Sequence, residues 1–487
     1  MNDQIVAPEA NTESGAVRGL LVNGDWIGGE GGRVPVLDKF RLRPCAYVTT
    51  ASRAQVARAV DAAYEAFRSG ALSPYERGAV LDRAAALVEA RLPEFVRTMQ
   101  VEAGFTVSDA TGEVRRSVQT LRLSGEEARR LAGEVVPLAG APQQAGRLAF
   151  TLRVPLGIVA AITPFNAPLN TVTHKIAPAF AAGNAAILKP ASYTPLTACL
   201  LADVLIEAGM PRGFLSVLLG GAPVANWLLA DERVRFFAFT GSTEVGREIQ
   251  RAAGLRRTQM ELGSIACTIV CDDARLATAL PKIVGAGYRK AGQVCTSIQL
   301  LLVHQSIVND VQAQLAQQVA ALPFGDPCDP ATVVGPVISE DNAIRIEEWI
   351  DEAIARGAQR LAGGKRNGAV VPPTLLAGID DSMSVGCREI FGPVMCIVPF
   401  ASLDEAIARV NATPFGLATG IFTNRLDDAF AAARRLEVGG VHINETSSSR
   451  VDLMPYGGSK DSGFGREGPR YAVHEMTEER IVTITAG

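Results

Sequence analysis

The chain has 487 residues, of which 48% are hydrophobic and 20% charged, so it encodes a globular protein of two or three domains. Its formal net charge of −4 excludes the basic surplus on which nucleic-acid binding depends. No apolar run reaches the roughly 18 to 20 residues of a membrane span, and the first residues lack the regions of a secretory signal. We therefore expect a cytoplasmic protein without nucleic-acid or membrane partners.

The N-terminal part of the chain predicts a flexible tail over residues 1–17, then a hairpin and helices. In LLVNGDWIG (20–28), Asn23-Gly24 lies between apolar flanks, which is a strong hairpin signal. Helical periodicity predicts three helices, over residues 53–70, 73–99 and 107–131. Ser73-Pro74 supplies the cap and the first-turn proline of the second one.

Strand and helix patterns alternate through the rest of the chain. Residues 133–155 alternate at strand period around a turn, as in a two-stranded ribbon that needs an outside support. Buried-type strands follow at 156–166, 185–190, 215–221 and 234–242, separated by helical segments. This alternation predicts a parallel, doubly wound α/β sheet, whose ligands bind at the carboxyl ends of the strands.

A second α/β block is predicted over residues 259–444, with a strand at 298–304 and a helix at about 306–322. The fold class is therefore α/β, with two such domains and a small β ribbon. We assign residues 18–132 and 154–258 to the first domain and 259–444 to the second. The segments 133–153 and 470–487 are left as additional elements.

Cys295 is the candidate nucleophile. It lies in the small-residue stretch GQVCTS, where a thiol can be reached, and Glu261 in MELGS is a candidate base. A free cysteine is more often a small buried hydrophobe, so this pair alone decides nothing. The eight cysteines form no CxxC pair and the chain has four histidines, so neither disulfides nor a metal site are predicted.

Polar residues at predicted strand ends are further candidates. Asn166, held between prolines in TPFNAPLN, can donate to a developing oxyanion, or can be a turn asparagine. Lys189 in LKPAS can face a ligand, or can extend its amine to water. FTGSTEVG places Ser242 at a helix N-terminus, where backbone N–H groups bind phosphate or are simply capped.

The single GxGxxG, formed by Gly463, Gly465 and Gly468, is not a dinucleotide fingerprint. No predicted strand precedes it, and too little chain follows it to complete a βαβ unit.

TPFNAPLN, LKPAS, FTGSTEVG, MELGS, GQVC and EIFGP occur in the order and spacing of the aldehyde dehydrogenase superfamily, which the chain resembles over roughly residues 20–485. Within it, the wording of RVDLMPYGGSKDSGFGREG is similar to the lactaldehyde and phosphonoacetaldehyde dehydrogenases. The resemblance implies NAD(P)-dependent, non-acylating aldehyde oxidation by a Rossmann-like cofactor domain and a catalytic domain. It also assigns the ribbon (133–153) and residues 470–487 to oligomerisation, in a homodimer or homotetramer.

The resemblance further implies roles for individual residues. Cys295 would attack the aldehyde to form a thiohemiacetal, which becomes a thioester when hydride passes to the nicotinamide. Asn166 and the Cys295 N–H would form the oxyanion hole, while Glu261 would activate water, with Lys175 in a proton relay. The residues that match the family's cofactor contacts are Ile162, Thr163, Pro164, Phe165, Lys189, Ser192, Phe239, Gly241, Ser242, Leu262, Glu389 and Phe391.

Two features concern specificity. Many family members carry Glu where this chain has Ser192, and a serine removes the repulsion of a 2′-phosphate, so use of both NAD and NADP is expected. Arginines in one funnel would select an anionic aldehyde, or else form ion pairs at the surface. The candidate substrates are small aldehydes of the phosphonoaldehyde, lactaldehyde or semialdehyde type. The candidate substrate residues are Arg115, Arg116, Arg289, Thr296 and Arg450.

Two other functions stay open. A CoA-acylating enzyme would resolve the thioester with a thiol instead of water, which the presence of Glu261 disfavours. A catalytically inactive, structural member of the family would not need Cys295, Glu261 and Asn166 together.

Overall fold

The computed structural model describes residues 17–70 and 72–485. Its strands are β1 (Val17–Arg18), β2 (Leu20–Val22), β3 (Asp25–Ile27), β4 (Arg33–Leu37), β5 (Pro44–Thr49), β6 (Val135–Val136), β7 (Arg147–Pro155), β8 (Ile158–Ile162), β9 (Ala185–Lys189), β10 (Leu215–Val217), β11 (Val234–Thr240), β12 (Arg257–Glu261), β13 (Ala266–Val270), β14 (Ile298–His304), β15 (Gln359–Ala362), β16 (Thr374–Ala377), β17 (Val394–Phe400), β18 (Phe415–Gly416), β19 (Ala418–Phe422), β20 (Gly440–Ile443), β21 (Ser459–Lys460), β22 (Gly463–Phe464) and β23 (Thr477–Thr485).

Its α-helices are α1 (Arg53–Ser69), α2 (Pro74–Ala90), α3 (Leu92–Ala103), α4 (Val107–Arg130), α5 (Asn170–Ala181), α6 (Pro195–Glu207), α7 (Ala222–Ala230), α8 (Thr243–Ala253), α9 (Leu276–Tyr288), α10 (Val308–Ala320), α11 (Glu340–Ala355), α12 (Ser384–Cys387), α13 (Leu403–Ala412), α14 (Leu426–Arg435) and α15 (Pro469–Glu475). No helix in these described ranges is both long and apolar enough to cross a membrane.

The first large sheet has eight strands in the order β22-β12-β11-β8-β9-β10-β2-β3. Its centre, from β12 to β10, is parallel, as predicted. β8 and β9 are buried along their whole length because helices cover both faces, which explains their continuous apolar sequence. Ile162, Lys189, Thr240 and Glu261 end four neighbouring strands, so their side chains share one edge of the sheet.

The second sheet has seven strands in the order β15-β16-β17-β14-β13-β19-β20 and its own buried core. All its pairs are parallel except β15 with β16. The predicted strand 298–304 is β14. The predicted domain boundary at residue 259 falls inside β12, and the chain changes sheets only after Glu261; the division into domains otherwise stays a prediction.

The hairpin at residues 20–28 is confirmed. Asn23 and Gly24 have φ of 51° and 81°, the left-handed pair that a two-residue turn between β2 and β3 requires. The predicted tail lies outside the described residues up to position 16, but Val17 does not belong to a tail. It begins β1, which pairs with β5.

The prediction of a single helix over residues 73–99 is wrong, because the segment forms two helices. α2 ends at Ala90 and α3 begins at Leu92. Pro93 lacks the N–H of a continuing helix and its ring crowds the carbonyl four residues earlier, which breaks the helix there. Ser73 and Glu76 form the capping box at the start of α2.

The ribbon has three strands, not two. β7 pairs with β6 on one side and with β23 on the other, along nine residue pairs from Thr477 with Pro155 to Thr485 with Arg147. Its exposed apolar side chains are Val135, Leu148, Leu152, Ile481 and Ile484.

Gly463 of the rejected GxGxxG lies in β22, antiparallel to β12. It has a φ of 96°, and a Cβ there would lie 2.2 Å from the carbonyl oxygen of Met260. Backbone packing explains this glycine.

Candidate active site

Cys295 lies between a short 3-10 turn (Arg289–Gly292) and β14, at the junction of the two sheets. Lys290 and Ala291 have φ of 51° and 52°, so the chain folds back tightly before the thiol. Lys290 Nζ pairs with Glu113 and donates to the backbone carbonyl of Asn166 at 3.0 Å. The lysine therefore ties the nucleophile's loop to the loop of Asn166.

Glu261 ends β12 beside this loop. Tyr456 connects the two groups, because its hydroxyl lies 2.8 Å from Cys295 Sγ and donates to Glu261 Oε1 at 3.4 Å. Burial, followed by the negative charge of Glu467, raises the pKa of Glu261 to about 7. Burial and then the charge of Glu261 raise the pKa of the Cys295 thiol well above its usual value. The carboxyl is thus a base suited to neutral pH.

Two cavities meet at Cys295, and Asn166, Thr240 and Glu261 also line both. The first is further lined by Pro164, Phe165, Gly241, Ser242, Leu262, Gly263, Glu389 and Phe391. The second is further lined by Glu113, Arg116, Ala167, Asn170, Thr171, Arg289, Lys290, Val294, Thr296, Ser448, Arg450, Tyr456 and Glu467.

The first cavity is the candidate site for the nicotinamide half of NAD(P), since Glu389 and Phe391 line it. Glu389 accepts a hydrogen bond from the Ser264 N–H at 2.9 Å, which leaves its other oxygen beside Gly263, and burial raises its pKa to about 7. Phe391 has a left-handed φ of 48° and stacks edge-on against Phe165 at 5.7 Å. Carboxylate and rings thus frame an apolar slot next to the thiol.

Other predicted cofactor residues lie outside this cavity. Ile162, Thr163 and Phe239 are buried at strand ends beneath it, and a Cβ on Gly241 would lie 2.5 Å from the Phe239 ring.

Lys189 is also buried at a strand end, which lowers its pKa to about 8, and its amine donates to the Pro190 carbonyl at 3.2 Å. Ser192 is exposed three residues on, and its hydroxyl donates to the Gly220 carbonyl at 3.2 Å. Their assignment as cofactor contacts stays a prediction.

The aldehyde dehydrogenase family model matches residues 26–482 of the chain. The chain belongs to this family. It is 46% identical over 467 residues to 3-sulfolactaldehyde dehydrogenase of Priestia aryabhattai, covering 96% of this chain and 98% of the relative. It is 34% identical over 473 residues to lactaldehyde dehydrogenase of Methanococcus maripaludis, covering 96% and 99%. The crystal structure of aldehyde dehydrogenase 21 from Physcomitrella patens in complex with the reaction product succinate has a TM-score of 0.94 at 36% identity, covering 97% and 99%.

These similarities confirm the predicted superfamily, the likeness to lactaldehyde dehydrogenases and the α/β fold with Rossmann-like and catalytic parts. This aldehyde dehydrogenase is an NAD(P)-dependent oxidoreductase that acts on an aldehyde. No group of three or more potential metal-ligating side chains was found in the described part of the chain.

The arginines of the enzyme's second cavity differ in their partners. Arg116 donates to both oxygens of Asp452, at 3.2 and 2.7 Å. Arg450 pairs with Glu467 at 2.9 Å and stacks on the ring of Tyr456 at 3.7 Å.

Arg289 has no carboxylate partner among the described residues, and its buried Nε has no hydrogen-bond partner there. Burial and then the charge of Arg116 lower its pKa. Arg115 is exposed and does not line the cavity, so the structure separates it from this group. Thr296 lines the cavity and exchanges a hydrogen bond with Ser448.

The predicted relay residue Lys175 is fully buried on α5. Its amine donates to Glu467 Oε1 at 2.9 Å, and the Thr240 hydroxyl donates to the same oxygen at 3.2 Å. Burial alone would raise the pKa of Glu467, but the charges of Lys175 and Arg450 hold it well below its usual value. Glu467 therefore stays charged and faces Glu261.

Sequence reasoning missed Tyr456 and Glu467. Both lie in the PYGGSKDSGFGREG segment, which supported the resemblance but contributed no site residue. The usable signal was Glu467 itself, an acid between Gly465 and Gly468 in a loop of small residues. For Tyr456 no such signal exists, because an aromatic residue before two glycines is ordinary packing.

Proposed function

We propose that this aldehyde dehydrogenase oxidises a small aldehyde bearing an anionic group. Arg289 is the observation that carries this proposal. It lies in the cavity that opens onto Cys295, and it is the cavity arginine without a carboxylate partner among the described residues. Its buried Nε has no hydrogen-bond partner there, and the charge of Asp109 acts on it without forming an ion pair. A sulfonate, phosphonate or carboxylate would pair with this guanidinium bidentately.

Cys295 is the proposed nucleophile and Glu261 the proposed base. Attack of the thiolate on the aldehyde carbon places negative charge on the carbonyl oxygen, and the Asn166 amide and the Cys295 N–H donate to it. When bound, NAD(P) supplies the hydride acceptor that turns the thiohemiacetal into a thioester. Glu261 then takes a proton from water, which hydrolyses the thioester to the carboxylate.

The relatives narrow the substrate class. One relative is named for 3-sulfolactaldehyde, which carries a sulfonate, and one solved structure holds succinate, a dicarboxylate product. A sulfonate-bearing hydroxyaldehyde and a semialdehyde are therefore the leading candidates, beside a phosphonoaldehyde. Lactaldehyde, which is neutral, serves as the discriminating comparison.

The test replaces Arg289 by Met, which keeps the apolar stem and removes the charge. We expect kcat/KM for 3-sulfolactaldehyde and succinate semialdehyde to fall by about 100-fold, the loss of charge-assisted hydrogen bonds. For lactaldehyde and propionaldehyde the change should stay below about threefold, since uncharged substrates do not need the guanidinium.

Arg115→Met is the matched control, because Arg115 is exposed on α4 outside the cavity. This substitution should leave kcat/KM unchanged for both the anionic and the neutral aldehydes. An equal loss for anionic and neutral aldehydes in the Arg289 variant would refute the anion site. Turnover of the wild-type enzyme without CoA excludes the acylating alternative, and a burst of NAD(P)H excludes an inactive protein.

Use of both NAD and NADP is proposed from Ser192. The exposed hydroxyl stands where many family members have a carboxylate that would repel a 2′-phosphate, and Lys189 lies three residues before it, at the end of β9. Homo-oligomerisation is proposed from the ribbon, whose exposed apolar side chains form a surface of the kind that a second subunit covers.

A further inference from the structure

The hydroxyl of Tyr456 lies between the thiol and the carboxylate. It is 2.8 Å from Cys295 Sγ and 3.4 Å from Glu261 Oε1, so one O–H group contacts both. Cys295 belongs to the loop before β14, whereas Glu261 ends β12 in the other sheet. Tyr456 comes from a third segment and connects them.

We propose that Tyr456 is a catalytic residue whose hydroxyl carries the proton of the Cys295 thiol to Glu261. The S–H bond breaks and its proton passes to Tyr456 Oη, while the tyrosine's own proton passes to Glu261 Oε1. The products are a thiolate, a neutral tyrosine and a neutral carboxylic acid, so protons and charge balance. Glu261 then releases this proton to solvent through the cavity that it lines, before it serves as the base for water. This inference rests on the proposed roles of Cys295 and Glu261.

The surroundings favour transfer of the thiol proton to the carboxylate. A thiolate beside a charged Glu261 is opposed by burial and by like-charge repulsion, so the thiolate forms only as the carboxylate becomes neutral. After the transfer, the Tyr456 hydroxyl donates to the sulfur, in a charge-assisted bond that stabilises the thiolate. Thiol ionisation and carboxylate protonation are thereby a single event.

Tyr456 can pass a proton without ionising. Burial and then the charges of Cys295 and Glu261 raise its pKa well above the usual value, so it stays neutral at working pH. The other charged groups that line the cavities here or act on the pKa values of this centre are Glu113, Arg116, Lys175, Arg289, Lys290, Glu389, Arg450 and Glu467.

The ring of Tyr456 is held independently of its hydroxyl. The guanidinium of Arg450 lies 3.7 Å over the ring and is itself fixed by Glu467. Tyr456→Phe therefore keeps the stacking and removes only the O–H group.

The experiment measures alkylation of Cys295 by iodoacetamide against pH, without substrate. In Tyr456→Phe, we expect the rate near pH 7.5 to fall by about tenfold, the loss of one charge-assisted hydrogen bond. The profile should move to higher pH, and the NAD(P)H burst should slow in parallel, while NAD(P) affinity stays unchanged. Tyr288→Phe is the matched control, because Tyr288 is also buried and donates one hydrogen bond, to the Thr374 carbonyl at 2.9 Å.

An alkylation rate within about twofold of the wild type would overturn the proton transfer and leave the nucleophilic role of Cys295 intact. Cys295→Ser tests that role separately, through loss of turnover and of labelling at this peptide. Should the Phe variant fold poorly, difluorotyrosine at position 456 keeps ring and hydroxyl but is a stronger donor. Its profile should move to lower pH, and an unmoved profile would equally overturn the proposal.

Discussion

Replacing Glu467 by Gln tests how the buried charges set the pKa of Glu261. Thr240 faces Glu261 in the strand register, and its hydroxyl donates to Glu467 at 3.2 Å, so the two carboxyl groups are near neighbours. Within about 12 Å, two unit charges at an effective dielectric of 20 interact by about 1.4 kcal/mol or more, which is one pKa unit. Without Glu467, the unopposed Lys175 and Arg450 act in the same direction.

In the wild type, kcat/KM should fall as the pH drops below about 7, because Glu261 takes up a proton and ceases to be a base. In Glu467→Gln, the midpoint of this acid limb should move down by about one unit or more. Lys175→Met should move it up, since Lys175 favours the charged form of Glu261.

The assay is kcat/KM from about pH 5.5 to 9 with one aldehyde, since this profile reports the free enzyme. Glu467→Gln leaves Lys175 and Arg450 without a shared carboxylate and should cost about 3–5 kcal/mol of stability, so a thermal scan must first show that the variant is folded at the assay temperature. Glu475→Gln is the control, a half-buried carboxylate of the same segment that accepts from Gln259. If the midpoint of the acid limb in Glu467→Gln stays at the wild-type pH or moves to higher pH, the electrostatic reasoning is refuted.

Two further outcomes test the cofactor and subunit proposals. Ser192→Glu should lower kcat/KM for NADP by about tenfold or more, because the new carboxylate repels the 2′-phosphate, and should change kcat/KM for NAD far less. A wild-type preference for NAD above about 100-fold would contradict the use of both cofactors. Ile484→Lys should yield a species of lower mass in light scattering, because a charge on the exposed ribbon opposes burial against a second subunit. The control, Tyr75→Lys, changes an exposed apolar position on α2 and should leave the mass unchanged. An unchanged mass in the Ile484 variant would count against the ribbon as the interface.

The parts of the site that the sequence predicted are those on strand ends and in tight loops. Asn166 was found because parallel strands place their carboxyl ends together, and Cys295 because a thiol among small residues is accessible. Glu261 was a candidate only as a base for that thiol, and the resemblance to the family supplied the roles of all three. The contacts that could not be predicted are those between side chains that are distant in sequence. Whether an arginine is free or paired is decided by carboxylates such as Asp452, 336 residues from Arg116.

Tyr456 illustrates the same limit, because its hydroxyl contacts Cys295 across 161 residues of chain. The break after Ala90 was missed for a local reason, since the apolar periodicity continues through Pro93 while the backbone does not. Val17 was assigned to a tail because a two-residue strand has no periodicity of its own.

Glu261 and the loop of Asn166 lie at the ends of strands in one sheet, whereas Cys295 lies in the loop before β14 of the other. Lys290 ties the two loops together, and the Tyr456 hydroxyl links the thiol to the carboxylate. A small rotation between the sheets would lengthen this link while each sheet kept its internal hydrogen bonds. The protein could then remain folded and bind dinucleotide, yet leave its sulfur protonated. Turnover should therefore depend strongly on the angle between the two sheets. Substitutions far from the thiol that alter this angle should abolish turnover without unfolding either sheet.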